Sequence, residues 1–321
     1  MNRLISTAAL PALLISLLAG QALAVENKIE KVFKDIDRLD IELVSGDCVI
    51  KGGRGKKITV NLVYDYPENC FEPEFKESTG WLRLKERFRG YGGCSGFSEW
   101  TITVPKGTRI EFSSASGELS MSGCEGEFAL ESASGRIEIE KSGGEFEIDN
   151  ASGRVTISSS NGDFEIDNAS GRIRVRDVSG QFEIDNASGD IGIEDARGRF
   201  KVDNASGDID ADKVLIDDDS IFDTASGDIV ISIAKSPEHD ITLESASGDI
   251  LLNYNGNPVS GFFEFSARKD RGKIIAPYRF DKEKEHEYND RVYVIKSFTR
   301  DKDTPGITLS TSTGRVELKL K

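Results

Sequence analysis

The chain has 321 residues, with 41 basic and 56 acidic side chains and a net charge of −15. This acidic balance argues against nucleic acids and anionic membrane surfaces as partners. Only two histidines are present, His239 and His286, and their polar surroundings predict solvated loop residues. The sequence therefore indicates neither a Ser-His-Asp triad nor a histidine metal centre.

Residues 1–24 form a predicted signal peptide. Arg3 supplies the positive charge, residues 8–18 the apolar run, and Ala22-Leu23-Ala24 a small-residue cleavage site before Val25. The residue after the cut is not cysteine, so no lipid anchor is expected, and no later stretch approaches the ~20 apolar residues of a membrane span. We expect an exported protein, periplasmic or secreted.

Four cysteines in an exported chain predict two disulfides. They are Cys48, Cys70, Cys94 and Cys124. Cys70 and Cys94 bracket one irregular segment, which favours their pairing and leaves Cys48 for Cys124, although three pairings are formally open. A zinc site is the competing interpretation, but no two of the four have the short gap typical of zinc ligands.

Residues 25–110 read as the start and cap of a β-solenoid. Residues 41–50 already show a Ser-Gly corner with alternating apolar positions on both sides. The pattern breaks over an excursion at 64–97 that is rich in aromatic residues. Binding residues often lie on segments held by a rigid scaffold, so we take four aromatics as binding candidates: Tyr66, Phe71, Trp81 and Tyr91.

Residues 111–254 contain the regular repeats. The glycines of successive Ser-Gly corners are spaced by 18 residues five times, then by 20 and 21, at positions 117, 135, 153, 171, 189, 207, 227 and 248. A fixed period of this size is typical of a solenoid. Each repeat has two halves that alternate polar and apolar residues after a glycine, which predicts two short strands and two tight turns per coil.

The alternation also predicts which side chains point inward. A row of phenylalanines should stack in the core, at positions 128, 146, 164, 182, 200 and 222. Stacked coils should form parallel ladders roughly 4.8 Å apart, and their stability should come from contacts between neighbouring coils.

Two further rows follow each phenylalanine. Four asparagines begin formal Asn-Ala-Ser glycosylation sequons, at positions 150, 168, 186 and 204, but hydrogen bonding at a corner is the favoured interpretation. The preceding aspartates lie at 149, 167, 185, 203 and 223. We expect each carboxylate to accept backbone N–H groups of the corner that follows, with cation binding as the alternative.

Residues 255–321 contain a second excursion and a closing coil. Residues 307–320 repeat the pattern of residues 241–254, so the last strands look like one more coil. The aromatic-rich segment between them should cover the open end of the stack, because exposed strand edges invite aggregation.

These features resemble an exported bacterial β-strand-repeat family labelled "putative adhesin", a domain of unknown function. The resemblance rests on the Ser45-Gly46-Asp47 corner, the lead-in at residues 104–107 and the Ala-Ser-Gly corners, and it covers roughly residues 36–252. It implies a parallel β-solenoid and an envelope location. It implies no catalytic residues, and the two aromatic excursions depart from the family pattern.

We therefore predict an all-β, non-enzymatic scaffold or binding protein of the cell envelope. Neither a cofactor nor a metal is expected, and the partner would be an envelope polysaccharide or protein. One alternative is a carbohydrate-active enzyme on a β-helix. The other is a calcium-stabilised β-roll, although the double glycines of that repeat are missing.

Overall fold

A computed structural model describes residues 26–90 and 93–321; the predicted signal peptide and Tyr91 lie outside these ranges. The described chain is all-β, with strands arranged in two sheets, A and B, that face each other across one core. Within these ranges, no helix is long and apolar enough to cross a membrane.

The N-terminal end contains seven strands. They are β1 (Asn27–Lys34), β2 (Ile36–Leu43), β3 (Asp47–Gly53), β4 (Lys57–Tyr64), β5 (Phe71–Ser78), β6 (Gly80–Phe88) and β7 (Ser98–Pro105). Strands β2 and β3 form the first coil. The excursion adds β6 beside β2 in sheet B and β7 beside β3 in sheet A, both in parallel. Antiparallel β5 on one side, and β4 and β1 on the other, complete this end.

The regular coils alternate strands between the two sheets. Strands β8 (Arg109–Ser114), β10 (Glu125–Ser132), β12 (Gly143–Asn150), β14 (Asn161–Asn168), β16 (Ser179–Asn186), β18 (Arg197–Asn204), β20 (Ser220–Thr224) and β22 (Ile241–Ser245) lie in sheet B. Strands β9 (Leu119–Ser122), β11 (Gly135–Glu140), β13 (Gly153–Ser158), β15 (Gly171–Arg176), β17 (Ile191–Glu194), β19 (Ile209–Ile216), β21 (Ile229–Ile233) and β23 (Ile250–Asn253) lie in sheet A. Each pairs in parallel with the equivalent strand of the next coil, which confirms the predicted solenoid with two strands per coil.

The C-terminal end is closed by six strands. They are β24 (Gly261–Arg268), β25 (Gly272–Ile275), β26 (Lys282–Tyr288), β27 (Arg291–Arg300), β28 (Gly306–Thr311) and β29 (Gly314–Lys319). The last coil, β28 and β29, inserts between β22/β23 and β24/β25. The second excursion therefore lies outside the closing coil, and β27 and β26 extend sheet B antiparallel.

The phenylalanine ladder forms as the sequence predicted. Phe146, Phe164 and Phe182 stack with ring centroids 4.8 and 5.3 Å apart, and each is 2% exposed. Isoleucines and valines of sheet A fill the other side of the core. The rings therefore bury their area against equivalent rings in the adjacent coils.

The Ser-Gly corners require glycine for two separate reasons. Gly153 and Gly171 have φ of +146° and +139°, a region that residues with a side chain rarely adopt. A Cβ on Gly171 would also lie 1.7 Å from the carbonyl oxygen of Gly153 in the preceding coil. The glycines thus form a ladder of their own that permits close stacking of the corners.

Candidate functional site

The predicted binding aromatics of the first excursion are mostly buried. Tyr66 and Phe71 are only 5% and 3% exposed, and their rings lie 4.8 Å apart. Phe88 packs 5.1 Å from each of them. The interpretation of Tyr66 and Phe71 as exposed binding residues was wrong, because the β5–β6 hairpin uses them as the core of the cap.

Trp81 differs from these two residues because its side chain is partly exposed. Its indole N–H donates to Oδ2 of Asp40 at 2.8 Å, and Lys76 lies over the ring, 5.8 Å from its centroid. A binding role for Trp81 stays a prediction. Tyr91 lies outside the described residues.

The cysteines form one disulfide rather than two. Cys70 and Cys94 are bonded, with their Cα atoms 5.8 Å apart, as the sequence favoured. Cys48 and Cys124 are free, buried thiols, so their predicted pairing was wrong. Cys48 is opposite Leu119 in the β3–β9 ladder, five residues before Cys124. Cys124 follows the turn after β9, and its Sγ lies 4.0 Å from the carbonyl oxygen of Ile50, so the two cysteines occupy different positions along β3 and are not bonded.

Burial also makes these two thiols unreactive. Desolvation raises the pKa of Cys124 to about 12, and it raises the pKa of Cys48 further above its usual range, with Glu86 adding to the effect. Because the thiolate is the reactive form, both residues behave as small core side chains.

A groove of about 1010 Å³ runs along the edge of the rod where sheet B turns toward sheet A. Four successive coils contribute the same Asp-Asn-Ala segment, and the coils on either side extend the exposed alanine row, so one alanine row and one aspartate row follow the solenoid axis. We call it the alanine–aspartate groove; the alanines are 115, 133, 151, 169, 187, 205 and 225, and the aspartates are 149, 167, 185, 203 and 223.

The aspartate row is not relieved by the corner that follows it. In the described chain, no backbone N–H of that corner donates to Asp149, Asp167, Asp185 or Asp203, so the expected turn bonding was wrong for this row. Those donors instead bond to backbone carbonyl groups of the neighbouring coils. The amide N–H of Ala169 donates to the carbonyl oxygen of Asn150 at 3.0 Å, and that of Gly171 donates to the carbonyl oxygen of Ser188 at 2.9 Å.

Crowding in this row changes its protonation equilibria. Burial raises the pKa of Asp167, and the negative charges of Asp185 and Asp149 raise it further. Burial likewise raises the pKa of Asp203 and of Asp223, and Asp185 adds to the shift at Asp203. The groove therefore carries like charges at the ladder spacing, which favours a ligand that places cationic or hydroxyl groups there.

The asparagines behind the groove form a buried hydrogen-bonded ladder. The amide of Asn150 donates to Asn168 at 3.2 Å, Asn168 donates to Asn186 at 2.7 Å, and Asn186 donates to Asn204 at 3.0 Å. All four are at most 4% exposed. The sequons are thus inaccessible in the folded protein, and the ladder holds the aspartate and alanine rows in register.

One cluster of metal-ligating side chains was not singled out in the sequence. The two longer repeats extend adjacent turns, and these bring Asp218, Asp219 and His239 together with ligand atoms within 4.8 Å of one another. Asp218 and Asp219 are exposed, and such groups are common on an acidic surface. We assign no metal to them.

The groove was not predicted from the sequence, although the repeated residues that line it were recognised. The Asp-Asn-Ala-Ser-Gly repeat predicts a ladder of each residue type. Whether the corner between the two sheets is open or filled depends on the angle at which the chain turns. The exposed alanines were the available signal, because alanine at every corner leaves room beside the aspartates.

Comparison with known proteins identifies a related family and several similar structures. The model of the Toastrack family, DUF4097, matches residues 36–289. A search of curated proteins finds no match. A structure described as a putative adhesin from Bacteroides fragilis is 13% identical, with a TM-score of 0.38, covering 92% of this chain and 98% of that chain.

Two structures from Parabacteroides are similar to the same extent. A protein from P. distasonis described as a putative lipid binding protein is 13% identical, with a TM-score of 0.40 and coverage of 92% and 97%. A protein from P. merdae described as a putative adhesin is 11% identical, with a TM-score of 0.41 and coverage of 91% and 95%.

Proposed function

The chain belongs to the Toastrack family, and from this premise we propose that it is an exported, non-enzymatic scaffold that binds an extended polymer of the cell envelope along the alanine–aspartate groove. The observation that carries the proposal is the groove itself. It follows the solenoid axis and presents an alanine in seven successive coils and an aspartate in the last five of them. A binding surface with translational repetition suits a partner that is itself linear and repetitive.

The chemistry of the groove limits the classes of partner that can bind there. The alanine methyl groups offer a shallow apolar strip, and the aspartates beside them accept hydrogen bonds at intervals of roughly 4.8 Å. An envelope polysaccharide or an extended protein segment fits this pattern if it has hydroxyl or cationic groups along one edge. Each contact would be weak, but contacts along one polymer combine through their high effective concentration.

Binding along the rod replaces the earlier expectation of binding at the cap. Tyr66 and Phe71 contribute to the cap's own core, so they offer no surface to a partner. Export is supported by the predicted signal peptide and by the Cys70–Cys94 disulfide, since such bonds persist in oxidising compartments.

The test is a binding screen of residues 25–321 against isolated envelope polysaccharides and peptidoglycan. Ala169→Trp with Ala187→Trp would fill the groove with two large side chains and should lower affinity at least tenfold. Thr156→Trp, on the outer face of β13 in sheet A, is the matched control and should bind like the wild type. Circular dichroism should show all three chains equally folded.

Two results would overturn the proposal. Equal affinity of the groove variant and the control would place the binding surface elsewhere. Release of soluble sugar products by the purified protein would favour the carbohydrate-active enzyme instead.

A further inference from the structure

Sheet A has a positively charged band on its outer face, in contrast to the acidic groove. Five arginines project from three consecutive coils: Arg136, Arg154, Arg172, Arg174 and Arg176. We call these residues the arginine band. The chain as a whole has a net charge of −15, so this concentration of one basic residue type departs from its surroundings.

Ion pairs involve three of the five arginines and leave two of them unpaired in the described chain. Arg136, Arg154 and Arg172 are direct ladder neighbours in β11, β13 and β15. Arg136 pairs with Glu118 at 3.5 Å in the coil before, and Arg172 pairs with Asp190 at 3.3 Å in the coil after. Arg154, between two arginines, has no ion pair within the described chain.

Arg174 is unpaired for a different reason. Its ladder neighbours are Thr156 and Gly192, which carry no charge. Arg176, by contrast, lies 3.5 Å from Glu194. Arg154 and Arg174 are therefore two exposed guanidinium groups on adjacent strands without an anionic partner in residues 26–90 and 93–321.

A groove of about 660 Å³ runs beside the arginine column. Its floor is made by the stacked corners, including Gly153 and Gly171, where the chain has no side chains. A ligand in this groove would contact Arg136, Arg154 and Arg172 together. Like charges at the ladder spacing repel one another, and an anion between them relieves that repulsion.

We propose that the arginine band binds a linear polyanion that carries phosphate groups along its length. A guanidinium group presents a planar fork of donors that matches phosphate and carboxylate oxygens. Each phosphate inside such a chain carries one negative charge and two non-bridging oxygens that match the fork of one guanidinium group, and successive phosphates can contact successive arginines.

The number of arginines that can be contacted together explains why the ligand is a polymer. A protein of net charge −15 repels any anion at long range, so binding requires several arginine contacts at once, and a small free anion makes few. A chain of phosphates laid along the column gains several contacts after the first, at high effective concentration. This site lies on sheet A, so the inference does not depend on the alanine–aspartate groove.

The experiment measures binding of fluorescently labelled inorganic polyphosphate to residues 25–321 at several salt concentrations. Arg154→Gln with Arg174→Gln should lower affinity at least tenfold and reduce the slope of log affinity against log salt by about two, one for each lost charge. Arg199→Gln is the matched control, because Arg199 is an exposed arginine on the outer face of sheet B without an ion pair among the described residues. It should bind within about twofold of the wild type.

A second pair of variants separates charge from geometry. Arg154→Lys with Arg174→Lys keeps both positive charges but removes both planar guanidinium groups. The affinity of this variant should therefore lie between that of the wild type and that of the variant with two glutamines. Melting temperatures of all variants should agree, because the two side chains are exposed and unpaired.

Three outcomes would overturn the proposal. The first is an equal loss of binding in the Arg199→Gln control. The second is equal or tighter binding of polyglutamate of the same charge, or of orthophosphate alone, which would remove the assignment to a phosphate polymer. The third is concentration-dependent self-association without polymer that disappears in the glutamine pair, since the band would then bind carboxylates of a second copy.

Discussion

Phe182 carries the packing between adjacent coils at the scale of single residues. Its ring stacks on Phe164 at 5.3 Å and on Phe200 at 5.0 Å, so Phe182→Ala removes contacts with both neighbouring coils. We expect the free energy of unfolding to fall by roughly 3–5 kcal/mol in urea denaturation. Glu165→Ala, an exposed neighbour without an ion pair in the described chain, should cost under ~0.5 kcal/mol. Equal losses would contradict the inward register of sheet B.

Asp167 tests the opposite effect, destabilisation by a crowded charge. Its pKa is raised in the folded protein by burial and by Asp185 and Asp149. A carboxylate with a raised pKa in the folded state lowers the free energy of unfolding at neutral pH. This destabilisation decreases as pH falls through the folded pKa, and it is absent below the unfolded pKa of 3.8. Asp167→Asn should therefore raise the free energy of unfolding at pH 7 by about 0.5–1 kcal/mol, allowing for solvent screening.

Denaturation of wild type and variant from pH 7 down to pH 3 would measure this difference. The gain should be constant near neutral pH and shrink once the wild-type carboxylate begins to take up its proton. Asp290→Asn, in the exposed turn between β26 and β27, removes a charge far from the row and should give no comparable gain. A benefit of Asp167→Asn that stays constant with pH would contradict the charge explanation.

One coil is the natural unit at the scale of structural elements, because each repeat contacts only its neighbours. Deleting residues 169–186 joins Asn168 to Ala187 and restores the same Asn-Ala junction. Phe164 then stacks on Phe200, and the protein should stay folded with a melting temperature lowered by only a few degrees. A 17-residue deletion, 169–185, shifts the following strands by one residue and would turn their apolar side chains outward. If the two deletion variants have the same melting temperature, the coil register is not what specifies the fold.

The N-terminal cap is anchored by a buried carboxylate. Glu86 on β6 is 2% exposed, and its Oε2 accepts the backbone N–H groups of Val44 and Ser45 at 2.8 and 3.2 Å. Its Oε1 accepts the indole N–H of Trp100 at 3.1 Å and the hydroxyl of Ser98. The carboxylate thus joins the excursion to the corner of the first coil.

Glu86→Gln should destabilise this end. The amide replaces one carboxylate oxygen, which accepts hydrogen bonds, with an NH2 group that would face other N–H or O–H donors. We expect a loss of about 2–4 kcal/mol in the free energy of unfolding. Hydrogen exchange should increase most at residues 44–48. Glu77→Gln, exposed on the same hairpin, is the control and should leave exchange unchanged. Protection at residues 44–48 that survives Glu86→Gln would show that the cap is held by its apolar contacts alone.

The edge strand of sheet B at the other end is protected by charge. Glu283, Glu285 and Glu287 occupy one face of β26, and Lys282, Lys284 and His286 occupy the other. A two-fold antiparallel pairing of β26 with a second copy would place glutamates opposite glutamates. Like charges directly opposite each other destabilise a strand pair, so this edge resists self-association.

At the scale of the whole molecule, sequence predicted the solenoid, its closing coil and the Cys70–Cys94 disulfide, but not how the N-terminal cap packs. The phenylalanine ladder and the glycine corners follow from a local rule repeated in every coil. The burial of Phe71 depends on strand pairing that no period specifies. The separation of Cys48 from Cys124 depends on the register of β3 against β9. The grooves depend on how the corners turn, which the alternation of residues does not specify.

Calcium provides the remaining test of the whole molecule. A protein calcium site takes six to eight oxygen ligands, often including backbone carbonyls. In the aspartate row each coil offers one side-chain carboxylate on an open face, while the backbone carbonyls of the strands pair within the sheets. We therefore expect general screening of the row rather than a specific calcium site. The melting temperature should be nearly the same in millimolar calcium, in millimolar magnesium and in excess chelator at matched ionic strength. A rise of more than roughly 10 °C with calcium alone would require the calcium-stabilised β-roll, since binding to the folded state is the only source of so selective a gain.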